Sequence, residues 1–223
     1  MSGKCRSRRP APARDMEATQ FSIILAELIG RVPGAYAAAL VDMYGETVDY
    51  AGAIEPFDVK VAAAHMRIVL SQVDRFGKLG ETRNVVIRAA TTSFVVRKLP
   101  IGYAVALLLR KRAGFTASER AFAVCERLLA IEAGWPYFES KPSWYPVDVA
   151  VDRRGRPTGI GKVRQQVQRV EVLGSVVGLR PQEKGFRVRT EVGEELTIVR
   201  EARRCWYADE VVCFEWDKNQ KRS

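Results

Sequence analysis

Apolar positions along the first 134 residues alternate between a helical and a strand period. Phe21, Ile24, Leu25, Leu28 and Ile29 recur at the three- and four-residue steps of one helical stripe, and Gly30 and Pro33 stop it. Gly34 to Gly45 is an apolar run of strand length whose Asp42–Gly45 end supplies a turn, and Glu46 to Ile54 returns, so a β-hairpin is predicted. Glu55-Pro56 opens a second helix, proline being tolerated in a first turn. It runs to about Phe76 with Val59, Ala62, Ala63, Met66, Val69, Leu70 and Val73 on one wide face. Thr82–Ala90, Ser93–Leu99 and Ile101–Arg110 carry the β-branched and aromatic residues of strands, with Pro100-Ile-Gly102 as a tight connection. A third helix is expected from Thr116, where Thr116-Ala-Ser-Glu119 has capping-box spacing, to Gly134, with Phe122, Cys125, Leu128 and Leu129 inward.

The predicted order is αββαβββα, an α+β domain with a five-stranded antiparallel sheet. After it, residues 135–146 hold three prolines and the aromatics Trp135, Tyr137, Phe138, Trp144 and Tyr145, the texture of a linker lying against a surface. From 147 the texture is β. Phe186, Val188, Thr190 and Val192 alternate with Arg187, Arg189 and Glu191, Gly193-Glu194 turns, and Leu196 and Ile198 return, which is the clearest hairpin in the chain. Residues 162–173 keep both helical and strand spacing, with strands favoured by Val170, Val172 and Val176-Val177. The expectation is a small all-β module over 147–216, a partly open barrel of SH3-like or related type, followed by a charged tail at 217–223. Residues 1–16, with Pro10, Pro12 and Arg14 among several basic residues, are expected to form a mobile basic tail before a first domain at 17–134.

Composition narrows the chemistry. The 223 residues carry 36 Lys+Arg against 26 Asp+Glu, a formal charge of +10, and no apolar run approaches the ~20 residues of a membrane-spanning helix. The N-terminus lacks the apolar core of a secretory signal, and four irregularly spaced cysteines argue against a disulfide framework, so a cytoplasmic location is expected. The single histidine, His65, lies in an apolar helical run, which excludes multi-histidine metal sites; there is no CxxC and no phosphate-binding loop motif. No catalytic, cofactor or metal site is expected, and the chain is read as a non-enzyme.

Arg153, Arg154, Arg156, Lys162 and Arg164 cluster in sequence around one turn of the β module. Such a cluster is either a solvated face or a basic patch for a second protein, nucleic acid, anionic lipid or another anionic partner. A nucleic-acid-associated adaptor using this patch and the N-terminal arm is the alternative reading of function, without a stacking motif for sequence readout.

The first helix's Leu25…Leu28-Ile29, then Val32-Pro33-Gly34, then the strand Ala38-Ala-Leu-Val-Asp42 closing on Gly45, in this element order, resemble the Roadblock/dynein light chain family, which is related to longin domains. The resemblance covers residues 17–134 and implies a non-enzymatic homodimer that pairs through the second helix and third strand. Carried onto this chain, the interface would involve Val59, Ala62, Ala63, Met66, Val85 and Ile87. Ala62, Ala63 and Ala64 either permit close helix approach across the dimer axis or simply favour helix. Several bacterial members of the family bind a small Ras-like GTPase, and Asp58, Lys60, Arg67 and Arg75 are the candidate contacts for one. The resemblance also implies action without an arginine finger, for which Arg110, Lys111 and Arg112 would be the place, and it says nothing about the β module.

Overall fold

The computed structural model describes residues 13–76, 80, 82–110, 118–136, 143–165 and 167–212. Expectations placed on Lys111, Arg112, Thr116, Tyr137, Phe138 and the 217–223 tail lie outside these residues. The first elements are α1 (Gln20–Arg31), β1 (Ala35–Val41), β2 (Thr47–Gly52), α2 (Pro56–Asp74), β3 (Asn84–Arg88), β4 (Thr92–Lys98), β5 (Ala104–Arg110) and α3 (Glu119–Ala133). That is the expected αββαβββα order. The strands form one antiparallel sheet in the order β2-β1-β5-β4-β3.

The central strands β1 and β5 are buried on both faces, which is why they read as unbroken apolar runs rather than alternating ones. On one face Ala37, Ala39, Val41, Ala104, Ala106 and Leu108 pack with Val59, Ala63 and Leu70 of α2. Alanines on both the helix and the sheet leave little bulk between them and let α2 settle close to its own strands. Gly52 is required where β2 crosses β1: a Cβ there would sit 2.3 Å from the Tyr36 carbonyl oxygen, and its φ is +119°.

The sheet's two edges differ. Beside β2, the residues from Ala13 to Met16 do not behave as the mobile tail expected of them. The Arg14 guanidinium donates to the Tyr50 carbonyl and pairs with Asp49, a carboxylate that is fully buried and also accepts from the Thr19 hydroxyl at 2.6 Å. A buried charge needs such partners, and here they hold the chain down before α1 begins. Among the described residues β3, at the opposite edge, pairs with β4 alone.

The second half forms a closed antiparallel barrel from β6 (Tyr145–Val151), β7 (Pro157–Lys162), β8 (Gln168–Ser175), β9 (Lys184–Thr190), β10 (Glu195–Arg200) and β11 (Trp206–Ala208), ordered β10-β11-β6-β7-β8-β9. Closure removes every free edge, where a partly open barrel was expected. Val147, Ile160, Val188, Leu196, Ile198 and Trp206 fill its centre, and the ambiguous stretch at 162–173 resolves as strand with Val163 and Val167 in an exposed connection. β6 begins at Tyr145, inside the segment expected as linker.

Three hairpins share one device. In Asp42-Met-Tyr-Gly45, the Asp42 carboxylate accepts the Tyr44 and Glu46 amides at 2.9 Å each and Gly45 turns at φ +88°. In Asp152-Arg-Arg-Gly155, Asp152 accepts the Arg154 and Arg156 amides at 2.8 Å and Gly155 has φ +76°. In Thr190-Glu-Val-Gly193, the Thr190 hydroxyl accepts the Glu194 amide at 3.2 Å and Gly193 has φ +83°. Each is a turn closed by a glycine in the left-handed region.

The described residues fall into two compact units, one holding α1, α2 and β1–β5, the other holding most of α3 with the barrel. α3 was expected with the first domain. At the start of this helix the Ser118 hydroxyl accepts the Ala121 amide at 2.9 Å. No helix among the described residues is long and apolar enough to cross a membrane.

Candidate interaction surfaces

The outward face of α2 is apolar. Phe57 is 75% exposed, Val61 36% and Ile68 55%, and at steps of four and seven residues they fall on one stripe that also contains His65. An exposed row of large apolar residues on a helix is a candidate interaction surface. The residues expected at the dimer interface lie elsewhere. Val59 and Ala63 have no exposure and face the domain's own sheet, while Ala62, Met66 and Val85 pack partly buried against the same cluster. Ile87 is half-buried on β3, and Val86, on the opposite face of that strand, is 43% exposed. The reason is the helix period: a stripe rich enough to be noticed in the sequence is the one that builds the core, and the second stripe, Phe57, Val61 and Ile68, was legible only as what the first one left over.

The four charged candidates on α2 do not form one group. Asp58 and Arg75 are exposed, the latter capping the helix C-terminus. Arg67 donates to the Ser71 hydroxyl one turn on, at 2.8 Å. Lys60 is committed to Asp15 at 2.8 Å and lies 5.8 Å from the Tyr50 ring centroid. That lysine, with the Tyr50 hydroxyl donating at 2.9 Å, holds the Asp15 carboxyl below its ordinary value. Arg110 ends β5 exposed.

In the barrel, the basic cluster seen in sequence is divided. Arg153, Arg154 and Arg156 belong to the β6–β7 turn, whereas Lys162 and Arg164 lie at the far end of β7, a six-residue strand of about 20 Å. Arg187 and Arg189 are neutralised: both reach Glu195 at 2.9 Å, and Arg189 also reaches Glu171 at 3.3 Å. The Arg189 guanidinium keeps the Glu195 carboxyl below its usual range.

The barrel unit also holds a set of contacts that no sequence pattern announced. Arg120 donates to Glu201 at 2.6 Å and to Glu183 at 3.2 Å, and its guanidinium lies 4.4 Å from the Trp144 ring centroid. The Ser118 hydroxyl donates to the other oxygen of Glu201. Arg127 is buried with its guanidinium 4.0 Å from the Tyr145 ring centroid, and Arg31 lies 5.7 Å from that of Tyr207. Burial pushes the Tyr207 hydroxyl up to about 12. Arginine over an aromatic ring at the start of a strand explains why Trp144 and Tyr145 stand where a free linker would have none. Trp135 likewise stacks on Tyr103, ring centroids 4.3 Å apart.

The strand order β2-β1-β5-β4-β3, with α2 crossing the sheet between the hairpin and β3, decides the architecture of the first half. It has a Roadblock-like fold. Solved structures similar to this half include a Roadblock/LC7 domain from Streptomyces avermitilis, 24% identical over 49% of this chain and 88% of that one, with a TM-score of 0.37. MglB from Myxococcus xanthus is 16% identical over 53% of this chain and 98% of its own, with a TM-score of 0.46. The gliding protein MglB from Thermus thermophilus is 16% identical over 50% and 93%, with a TM-score of 0.42. No family profile and no curated protein matches the chain. The Roadblock-like half therefore stands on its own geometry, and the barrel has no counterpart in these three.

Proposed function

We propose that the Roadblock-like half is a non-enzymatic homodimerisation platform that binds a small Ras-like GTPase, and that the barrel serves a second partner. The observation that carries the dimer is the outward stripe of α2, with Phe57, Val61 and Ile68 exposed, on a sheet whose β3 edge has a neighbour on one side only among the described residues. Burying such a stripe against its own copy removes apolar area from water at about 25 cal/mol per Å² and gives β3 a neighbour. The GTPase is inferred from the family resemblance, and the exposed Asp58 and Arg75 are the side chains on α2 best placed to meet it. The nucleic-acid adaptor is less well supported, because the basic cluster that motivated it is split between the two ends of β7.

Light scattering during size-exclusion chromatography tests the dimer. The wild-type chain is expected at twice its 25.0 kDa mass at micromolar concentration, and Ile68→Glu at the monomer mass. A wild-type monomer would sink the platform. For the GTPase, a pull-down from the native host should enrich a Ras-like protein, and charge reversal at Arg75 should weaken its retention.

A further inference from the structure

We infer that the barrel end formed by the β6–β7, β8–β9 and β10–β11 connections, with Arg153, Arg154, Arg156, Arg180, Arg203 and Arg204 around an exposed Val177, docks on an anionic phospholipid surface. In an antiparallel barrel, alternate connections emerge at the same end, so these three come together although they are far apart in sequence. The β6–β7 turn presents Arg153, Arg154 and Arg156, the β8–β9 connection presents Arg180, and the β10–β11 turn presents Arg203 and Arg204, all exposed.

The acidic groups at this end are already engaged. Glu183 and Glu201 are both held by Arg120, and Asp152 spends its carboxylate on the Arg154 and Arg156 amides. The opposite end is of mixed charge: Glu191, Glu194 and Glu195 around the β9–β10 turn lie at the same end as Lys162 and Arg164, and Glu195 is paired with Arg187 and Arg189.

The β10–β11 turn adds a second, independent observation. Arg203 and Arg204 both lie in the left-handed region, at φ 58° and 59°, in a two-residue turn of the kind usually built from Asn-Gly. Two arginines kept in a conformation that disfavours any residue with a Cβ point to a use for their charge at that place.

The choice of lipid over nucleic acid rests on what accompanies the arginines. Val177 is 90% exposed in the β8–β9 connection, and Val151 is 45% exposed beside the β6–β7 turn. The three connections contain no aromatic residue on which a base could stack. An exposed valine among basic side chains suits a headgroup layer, where the charges meet phosphates and the valine enters the acyl boundary. The basic side chains of the site and Val177 all lie in connections of the barrel.

Sedimentation of the full chain with vesicles tests this. At ~0.1 M salt the protein should pellet with phosphatidylcholine vesicles containing phosphatidylglycerol and not with phosphatidylcholine alone, the attraction acting over about 10 Å. Each basic side chain near such a surface contributes roughly fivefold in affinity. Arg153→Glu/Arg154→Glu/Arg156→Glu should therefore lose at least ~100-fold, and Val177→Ser a smaller but measurable share at unchanged charge. Arg164→Glu, at the opposite end, should bind as wild type. The proposal is overturned if anionic vesicles fail to pellet the protein, if Arg164→Glu loses as much as the triple variant, or if duplex DNA binds more tightly than the vesicles at the same salt with no dependence on Val177.

Discussion

Removing the Arg120 guanidinium should destabilise the barrel unit more than removing either carboxylate it serves. Arg120 lies between Glu201 at 2.6 Å and Glu183 at 3.2 Å, with side-chain exposures of only 16%, 9% and 11%. A charge pair at such range is worth about 4 kcal/mol at an effective dielectric of 20, before desolvation is subtracted. Taking away one partner of a buried pair costs about 3–5 kcal/mol, since the other charge stays buried and unanswered. Arg120→Ala leaves two carboxylates in that state and also strips the guanidinium from Trp144, so about 3–5 kcal/mol is expected. Glu201→Ala leaves Arg120 its bond to Glu183, and Ser118 still caps α3 through the Ala121 amide, so about 1.5–3 kcal/mol is expected. The double variant should cost less than the sum of the singles by about 1–3 kcal/mol. Urea denaturation followed by tryptophan fluorescence gives all three values. If Arg120→Ala costs under about 1 kcal/mol, or no more than Glu201→Ala, the cluster is a surface pairing and Arg120 is not its keystone.

Three further outcomes follow from particular residues. Gly52→Ala should cost about 3 kcal/mol or more, because the new methyl meets backbone at 2.3 Å and 2.6 Å, whereas Gly45→Ala, whose nearest neighbour is Ala64 at 3.7 Å, should cost only the strain of its positive φ, about 1–2 kcal/mol; urea midpoints separate them. Arg203→Asn with Arg204→Gly should raise stability by about 1–2 kcal/mol, read as an increase in Tm, by relieving two left-handed residues. Asp15 is depressed in the folded chain by Lys60 and Tyr50, so its contribution is present above its unfolded value of 3.8 and is lost as pH falls through the lower folded value. Stability of the wild type should therefore drop more than that of Asp15→Asn on acidification below about pH 4, and parallel curves would refute the clasp.

The fold was legible where burial and period agree. Ile24, Leu25 and Leu28 mark α1, and the unbroken runs of β1 and β5 mark the centre of the sheet, because a strand covered on both faces has no polar side to show. The β9–β10 hairpin was readable from its alternation, which the register Leu196↔Val188 and Ile198↔Phe186 preserves. Three kinds of feature were not legible. The anchoring of Arg14 depends on Asp49, a lone carboxylate in the apolar run of β2 that pairs across 35 residues. Arg120 meets Glu201 across 81 residues, and no local pattern encodes such a meeting. The residues expected at an interface were drawn from the stripe of α2 that packs on the sheet, because hydrophobicity alone does not say which of two stripes faces inward; Val59 and Ala63 are buried against the small residues of the sheet, and Phe57 and Ile68 are exposed.

The turn that helped suggest the family carries less weight than it first does. Asp42-x-x-Gly45 recurs as Asp152-x-x-Gly155 in the barrel and, with a hydroxyl in place of the carboxylate, as Thr190-x-x-Gly193. All three solve the same problem, closing a short antiparallel hairpin with an acceptor at the first position and a left-handed glycine at the fourth. A motif that appears in two unrelated architectures of one chain reports hairpin chemistry rather than ancestry. What separates the first half from a generic hairpin protein is the crossing of α2 between two hairpin-bearing segments and the insertion of β5 beside β1, giving β2-β1-β5-β4-β3. In that arrangement β2 is guarded by Arg14 while β3 keeps an edge, and α2, packed across β1, β2, β4 and β5, turns Phe57, Val61 and Ile68 outward. The asymmetry between the two edges ties the fold to the proposed dimer more directly than any turn does, since only one side of the sheet is built to be continued.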